Sequence, residues 1–405
     1  MVVLYMRKGL VWFSIGIAYI SLGMAARFGG WFHYWDALGP VEASRMLVNG
    51  SLNIYALNYG EPLRIPYVAF PPLLPSVMIP FVIISDNLLG SKQSALILSG
   101  LPLLLFDVLA VYMLVKTINE RIELRSDQQI LLAVFMLVGG GMLHASGYMS
   151  HQESMTLFFI LLGVYLSMKG RITLSGLSLS LAILSKHVAI LPIIPLFTLL
   201  IREKLIKEKD VRSTLTFVLA LVIPFVLVML PFYLTNPGAT WDALFGHAER
   251  LRLRHESLWK AIDTAILIIL PSDTYQQVHS FLMNYTASFP MLAAVIVSIL
   301  ALRSKHVRLF SESLFGVVAL SAYLQLIISK TVAPHYYVVP LGLVVLWDAI
   351  ERKGFPSFGI ASSIWLWAIH SIDWSYYVGI VLLLSNLAIV AKIVKDALLR
   401  PRQTF

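Results

Sequence analysis

The residues best suited to chemistry in this sequence are ionisable groups set among apolar stretches. Asp36 directly follows the aromatic run 31–35, and such amphipathic rings collect at membrane interfaces. A carboxylate there is partly desolvated, which raises its pKa toward the range useful for a general base. We therefore predict that Asp36 is a catalytic base. The alternative is a helix N-cap, in which Asp36 accepts backbone N–H bonds from the residues that follow.

Three further places carry ionisable or polar residues of the same kind. Glu42 is a second acid near Asp36, and its alternative role is a solvated helix face with Arg45 at i+3. Lys186 and His187 lie between two apolar runs, where ionisable groups are costly and indicate function. Snorkelling to the membrane interface is the alternative for them.

A polar corner separates two other apolar runs and consists of His151, Gln152 and Glu153. It could orient a substrate. It could equally be a solvated corner that begins a helix, since an acid is favourable at a helix N-terminus.

Two cationic segments follow later in the chain. The segment HAERLRLRHE contains Arg250 and Arg254, and arginine suits bidentate recognition of phosphate. Its alternative is an interfacial amphipathic helix that holds lipid headgroups. Lys330, His335 and Tyr336 stand at the entry to another apolar run, where the tyrosine could also belong to an aromatic belt.

The composition is that of a membrane protein. Of the 405 residues, 58% are hydrophobic and 13% are charged, against about 25% charged in soluble proteins. The absence of cysteine excludes disulfides and thiol chemistry. The net charge of +9 fits cytoplasmic loops rich in Lys and Arg. The sequence contains no basic stripe interleaved with aromatics, so it does not indicate a nucleic-acid partner. No small-residue cleavage site follows the first apolar run, so we expect that helix to be retained.

Thirteen apolar stretches can be marked along the chain, and one of them contains several prolines. Prolines remove backbone donors and disfavour helix before them, so a regular helix through the first half of 67–88 is not expected. The stretches are 9–26, 67–88, 95–116, 129–147, 153–168, 172–185, 187–201, 213–234, 286–302, 310–329, 333–350, 357–371 and 374–397.

The distribution of positive charge selects a topology. If 67–88 is re-entrant and the N-terminus is cytoplasmic, 21 of the 31 lysines and arginines lie in cytoplasmic loops. If that stretch crosses the membrane, the bias reverses. We therefore predict an all-α, polytopic membrane protein with about twelve transmembrane helices, a re-entrant segment at 67–88, outer juxtamembrane helices and both termini cytoplasmic. The polar regions then share the outer face, and they are 27–94, the 150–154 corner, 235–285 and the entry near 330–335.

The order of these motifs resembles that of the GT-C superfamily of polytopic glycosyltransferases. An acid follows the first apolar run, and the pattern FPPL at 70–73 follows it. The segments GYMSHQESMTLFFILLGVYL and LSLAILSKHVAILPIIPL come next in the family's order. The segment ISKTVAPHYYVVPLGLV is similar to one in glycosylphosphatidylinositol mannosyltransferase I and related mannosyl- and glucosyltransferases, with His335 in place of a glutamine.

The resemblance implies an inverting hexosyltransferase with its active site on the outer or lumenal face. Its donor would be a polyprenyl- or dolichyl-phosphate sugar, with mannose or glucose expected, and its acceptor a hydroxyl of a glycolipid or glycan among membrane lipids. Asp36 would be the base. The donor phosphate would be bound by Lys186, Arg250, Arg254, Lys330 and His335. Acceptor and sugar would contact Glu42, His151, Gln152, Glu153, His187 and Tyr336.

The resemblance also sets the predicted regions and leaves some alternatives open. Residues 1–234 would form the catalytic transmembrane module, 235–285 an outer loop with a surface helix, and 286–405 the C-terminal transmembrane helices. A single Asp stands where some members have D-x-D, so a need for Mg²⁺ or Mn²⁺ stays open. A secondary transporter or a non-catalytic membrane scaffold are the alternatives, although no inverted repeat typical of transporters is visible.

Overall fold

The computed structural model describes residues 2–59, 68–139, 141–246, 257–304, 307, 311–329, 333–372 and 376–399. Within these residues every regular element is a helix and no strand occurs, so the predicted all-α class is confirmed.

The α-helices are α1 Val2–Phe28, α2 Tyr34–Val48, α3 Leu73–Ile84, α4 Lys92–Leu98, α5 Gly100–Asn119, α6 Ser126–Val134, α7 Glu153–Met168, α8 Ile172–Ser185, α9 Ile190–Leu200, α10 Val211–Thr235, α11 Pro237–Trp241, α12 Leu258–Ile269, α13 Ser272–Tyr285, α14 Phe289–Arg303, α15 Glu312–Ile328, α16 Val338–Arg352, α17 Ser357–Ile372 and α18 Tyr376–Val394. Short 3₁₀ turns are Ile54–Tyr59, His187–Ala189, Thr286–Ser288 and Pro334–Tyr337, and π-helical turns are Ser85–Leu89, Phe135–Gly139, Leu143–Tyr148, Ile201–Lys207, Asp242–Gly246 and Lys395–Leu399.

Some of these helices are long and apolar enough to cross a membrane. Three of them meet both conditions, namely Gly9–Phe28, Lys92–Asn119 and Val211–Thr235. A fourth span results if α13 and α14, which meet at a 66° bend, are counted together. Since a span needs about 20 residues, the shorter apolar helices of 10–17 residues do not establish further spans by themselves. The count of twelve therefore stays a prediction.

The proline-rich stretch 67–88 is only partly as expected. Residues 68–72 are not helical, and α3 begins at Leu73 directly after Pro71 and Pro72, as proline chemistry predicts. The helix nevertheless continues past Pro75, which corrects the expectation for the part of the first half that follows Pro72, and it also runs through Pro80 in the second half, for which no break was expected. Pro75 falls in the first turn, where its missing N–H would have no intrahelical acceptor.

Helix α3 packs against α2, the first helix of the predicted outer loop. Ser44 Oγ donates to the Pro75 carbonyl at 2.8 Å, and Val41 and Val82 share an apolar cluster. At the far end Arg45 forms a two-pronged ion pair with Asp86, with Nε–Oδ2 at 2.9 Å and Nη2–Oδ1 at 2.8 Å. These contacts fasten the stretch 73–89 to the loop helix that carries Asp36.

Asp86→Asn tests this ion pair and its pH dependence. Arg45 lowers the pKa of Asp86, so the pair stabilises the fold above the unfolded-state pKa of about 3.9 and is lost as pH falls through the lower folded-state pKa. Because Asp86 is 39% exposed, we expect a loss of about 0.5–1 kcal/mol at neutral pH. Unfolding followed from pH 7 to pH 2 should show the difference between wild type and variant vanish at the acidic end. A constant difference would contradict the assignment.

The predicted surface helix in 235–285 is not continuous. Residues 237–246 are helical, 247–256 lie outside the described residues, and a new helix, α12, begins at Leu258. Its N-cap is Ser257, an extended residue whose Oγ accepts the N–H of Lys260 at 3.1 Å. Helix α13 follows after Leu270 and Pro271.

The chain divides into two compact units. The first consists of Met1–Glu120, Leu124–His187 and Leu219–Leu244, and the second of Arg121–Glu123, Val188–Val218 and Phe245–Phe405. This division follows packing, whereas the regions 1–234, 235–285 and 286–405 were drawn by expected role and stay a prediction.

The second unit has its own buried polar contacts. Asp263 is 1% exposed and lies 2.6 Å from His279 Nδ1 and 3.0 Å from Lys260 Nζ, which joins α12 to α13. Tyr323 donates to Asn386 at 2.7 Å, and Asn386 donates to Tyr337 at 2.9 Å. These contacts tie its helices together.

Candidate functional site

Asp36 sits in the first turn of α2 and is not its N-cap. The N-cap position is His33, whose side chain makes no capping bond, and Asp36 is the third residue of the helix. The N-cap alternative for Asp36 is therefore wrong, although an acid in a first turn still interacts favourably with the helix dipole. The backbone N–H of His33 donates to the Tyr148 carbonyl at 2.7 Å, which fixes the start of α2 against the 143–148 turn.

Two imidazoles approach one oxygen of Asp36. His33 Nδ1 lies 2.7 Å from Asp36 Oδ2, and His151 Nε2 lies 3.7 Å from the same atom. The His33 contact is short, but its angle does not meet the geometry of a hydrogen bond. We therefore describe it as an ion-pair contact. The structure thus brings together Asp36 and His151, which lie 115 positions apart in the chain.

The electrostatic setting of Asp36 differs from the expectation. Burial acts to raise the pKa of Asp36, but the contacts with His151 and His33 outweigh it and hold the pKa below its usual range. The predicted upward shift is therefore wrong in sign. Asp36 is ionised at neutral pH, and its side chain is 30% exposed, so it remains within reach of a ligand.

Aromatic rings surround this pair, as the sequence predicted. The ring of Tyr148 lies 5.3 Å from Trp31, 6.1 Å from His33 and 5.0 Å from His144. The rings are tilted against one another and present apolar faces beside His33. Such a wall suits the apolar face of a sugar ring.

The polar corner before α7 contains a buried amide that needs a partner. Gln152 is 2% exposed, and its Oε1 has no hydrogen-bond donor among the described residues. A buried carbonyl oxygen of this kind is ordinarily satisfied by protein, water or ligand. Gln152 is thus an acceptor available to a hydroxyl group. His151, its neighbour, faces Asp36.

Glu153 and Lys186 form a largely buried ion pair. Lys186 Nζ donates to Glu153 Oε1, and the two side chains are 16% and 2% exposed. Beside them Thr156 and Ser185 share a hydrogen bond of 2.7 Å, so the start of α7 is fastened to the end of α8. A donor phosphate at Lys186 would therefore compete with Glu153. The predicted roles of both residues stay predictions.

Glu42 takes the alternative role that its spacing allowed. Its Oε1 accepts from Arg45 Nη1 at 2.5 Å, at the i+3 position, and Arg45 in turn binds Asp86. Asp86 was not singled out from the sequence. This network explains Glu42 structurally, and substrate contact by Glu42 stays a prediction.

The remaining predicted residues fall into three groups. His187 begins the turn His187–Ala189 and is half-buried in the first unit. His335 and Tyr336 belong to the second unit, where their rings meet edge to face at 4.5 Å and His335 is 4% exposed. Arg250, Arg254 and Lys330 lie outside the described residues.

Sequence reasoning missed four residues near this site. His33 and His144 are two of them, although His33 stands within the aromatic run 31–35, three positions before Asp36. Asp107 lies in the apolar run 95–116 and Arg27 directly follows the run 9–26, and both are 0% exposed. Their position alone marked them for attention, because ionisable residues in such runs are costly.

The donor set around Asp36 bears on a divalent cation. In the described part of the first unit, no three side chains by themselves bring candidate ligand atoms within 4.8 Å of one another. One carboxylate beside two imidazoles also suits Mn²⁺ or Zn²⁺ better than Mg²⁺, which prefers oxygen ligands. These side chains therefore do not fit a Mg²⁺ site on their own.

No family model matches this sequence, and no curated protein matches it.

Proposed function

We propose that the chain is a polytopic glycosyltransferase of the GT-C type that moves a hexose from a polyprenyl-phosphate donor to an acceptor hydroxyl with inversion. Mannose and glucose are the expected sugars, and a glycolipid or glycan the expected acceptor. In this proposal about twelve helices span the membrane, both termini are cytoplasmic, and the site opens on the outer or lumenal face.

The observation that carries the proposal is the ionised Asp36 held by His33 and His151 among aromatic rings, one short turn after a membrane-length helix. A transfer from a lipid phosphate needs one base only, because phosphate is already a good leaving group. Glycoside hydrolases need a second carboxyl group to protonate a poor one. The single carboxylate, close to the segment that carries Trp31, supports a mechanism that needs only one base.

The reaction follows from these groups. The acceptor hydroxyl donates its hydrogen bond to Asp36 and attacks the anomeric carbon, while the bond from that carbon to the phosphate oxygen breaks on the opposite face. The hydroxyl becomes acidic as the new C–O bond forms, so a carboxylate with a lowered pKa can take the proton late in the step. His33 and His151 keep Asp36 ionised until then. The phosphate leaves with the electron pair of the broken bond.

The remaining polar groups have supporting roles. The buried Oε1 of Gln152 accepts a hydrogen bond from a sugar or acceptor hydroxyl. Cations drawn from Lys186, Arg250, Arg254, Lys330 and His335 neutralise the phosphate, since charge developing on a leaving group is stabilised best by fixed donors. For Lys186 this requires that the phosphate replace Glu153 as its partner.

Transfer and uptake assays separate this proposal from its alternatives. Purified protein in proteoliposomes is incubated with radiolabelled polyprenyl-phosphate mannose or glucose and a lipid extract as acceptor. We expect label to move to a product that no longer carries the polyprenyl phosphate, for one sugar and not the other. Uptake of label into the vesicles without transfer would favour a transporter, and neither transfer nor uptake would favour a scaffold.

A further inference from the structure

Arg27, at the end of α1, is a fully buried cation. Its side chain is 0% exposed, and each of its five hydrogen bonds goes to a carbonyl or hydroxyl oxygen. Phe32 covers the guanidinium at 5.1 Å from the ring centre. A buried charge is costly unless its surroundings compensate it. The burial of Arg27 is therefore energetically costly unless its hydrogen bonds compensate the charge.

Compensation comes from the ends of two helical segments. Nε donates to the Ile97 carbonyl at 3.1 Å and Nη2 to the Leu96 carbonyl, where α4 ends. Nη1 donates to the Gly147 carbonyl at 2.6 Å, at the end of the turn Leu143–Tyr148. Carbonyls at helix C-termini carry partial negative charge and favour a cation. Arg27 thus joins α4 to the 143–148 turn.

The space for this side chain depends on Gly100. A Cβ added at Gly100 would stand 2.4 Å from Arg27 Cδ and Nε. Any other residue there would push the guanidinium away from its carbonyls. The path of Arg27 is therefore fixed by the helix it crosses.

The same guanidinium holds Ser150 in an unfavourable backbone conformation. Ser150 has φ of +57°, a left-handed conformation that is unfavourable for a non-glycine residue. Arg27 Nη1 donates to Ser150 Oγ at 2.8 Å as well as to Gly147, and so closes the turn from both ends. The next residue is His151, whose N–H donates to the Ala145 carbonyl at 2.9 Å. The left-handed residue reverses the chain immediately before the imidazole that faces Asp36.

A second buried group anchors the same segment from another side. Asp107 accepts from Ser146 Oγ at 2.7 Å and from Tyr19 OH at 2.6 Å. Residues 146–150 are thus held by a buried carboxylate and by a buried guanidinium. Two buried charged side chains, Asp107 and Arg27, therefore hold the short corner that precedes His151.

We propose that Arg27 is a positioning residue, which holds the turn 147–150 so that the left-handed Ser150 directs His151 onto Asp36. Its effect on turnover rests on the proposed transfer reaction, whereas its effect on the His151–Asp36 contact does not.

Three substitutions test the turn, and one provides a control. Ser150→Val penalises the left-handed conformation, whereas Ser150→Gly permits it and removes only the hydroxyl. Arg27→Lys keeps the positive charge but loses the several N–H donors of the guanidinium. Lys353, with φ of +54° at the end of α16 in the second unit, gives the matched control Lys353→Val with the same backbone penalty. A misplaced catalytic partner costs about a hundredfold in rate, so we expect that loss for Ser150→Val and Arg27→Lys. Ser150→Gly should lose about fivefold, the worth of one hydrogen bond.

Two readouts separate positioning from loss of fold. Displacing His151 removes a partner that lowers the pKa of Asp36, so the acidic limb of the pH–rate profile should move to higher pH in Ser150→Val and Arg27→Lys but not in Lys353→Val. Independently of any transfer, the histidine resonances of ¹⁵N-labelled protein, assigned with His151→Gln, report the contact. In the otherwise wild-type protein, Asp36→Asn should shift the His151 resonance at fixed neutral pH, because His151 Nε2 lies 3.7 Å from Asp36 Oδ2, and in the Arg27→Lys background it should not.

The outcomes decide the proposal even if one variant does not fold or no transfer is observed. An Asp36-dependent His151 resonance retained in Arg27→Lys and in Ser150→Val would overturn it. So would equal rates and equal acidic limbs for Ser150→Val and Lys353→Val. If Arg27→Lys does not fold, the comparison of Ser150→Val with Ser150→Gly by resonance alone gives the answer.

Discussion

Asp36→Asn should lower the turnover number for hexose transfer by about 10²–10⁴-fold, the typical contribution of a positioned general base. An amide of the same size cannot accept the acceptor's proton, yet it can occupy the same place in the first turn of α2. The KM for the donor should change little, because no phosphate contact is lost. The measurement is transfer from radiolabelled donor by purified protein in proteoliposomes, with the amount of folded protein determined by size-exclusion chromatography.

The pH dependence of transfer is a second expected result for Asp36. Since His151 and His33 hold the pKa of Asp36 below its usual range, wild-type activity should persist on the acidic side beyond the pH at which an ordinary aspartate, with a pKa of about 3.9, takes up a proton. Residual activity of the variant should lack that acidic limb. Asp127→Asn is the matched control, because Asp127 is an exposed acid in the first turn of α6. Near-normal turnover in Asp36→Asn would remove Asp36 as the base.

Glu153→Gln should lower the free energy of unfolding by about 3–5 kcal/mol, as expected when one partner of a buried ion pair is removed. The change leaves the Lys186 ammonium, 16% exposed, facing a neutral amide at the junction of α7 and α8. Replacing both residues by Met should recover most of the loss, because two apolar side chains bury no uncompensated charge. Unfolding in mixed detergent micelles, followed for both single variants and the double variant, measures the coupling between the two side chains.

An exposed pair elsewhere in the first unit provides the comparison. Lys169 and Glu120 form an ion pair on exposed side chains, so Glu120→Gln should cause no comparable loss. Equal stability of Glu153→Gln and Glu120→Gln would contradict the buried-pair interpretation. The stable double variant also tests Lys186 in phosphate binding. If Lys186 holds the donor phosphate, the double variant should fold normally and still show a raised KM for the donor.

Hydrophobic pattern predicted the helices of this chain well where the pattern is simple. The stretches 153–168 and 172–185 coincide with α7 and α8, because each is bounded by polar residues that end an apolar run. The run 95–116 was predicted as one element, and Lys92–Asn119 does form one span-length apolar stretch, with a one-residue break in its helical pattern at Ser99 between α4 and α5. That break is where Arg27 reaches the carbonyls of α4, a tertiary contact that no local pattern contains.

The site was predicted in part for a similar reason. Asp36 and His151 were singled out because polar residues stand out among apolar runs, and the structure brings them together. Their mutual effect on the pKa of Asp36 depends on a contact between distant segments, so composition around Asp36 predicted the opposite sign. Glu42 shows the converse case, since its local spacing to Arg45 was enough to indicate the ion pair that the structure contains.

The central claim is transfer of a hexose with inversion, and one measurement addresses it directly. A polyprenyl-phosphate hexose of known anomeric configuration, labelled with ¹³C at the anomeric carbon, is incubated with the reconstituted protein and its acceptor fraction, and the anomeric signal is followed by NMR. We predict that the label leaves the phosphate and appears in a glycosidic linkage of opposite configuration with wild type, and stays on the phosphate with Asp36→Asn. A product of unchanged configuration, or a label that stays on the phosphate with wild type, would contradict the account.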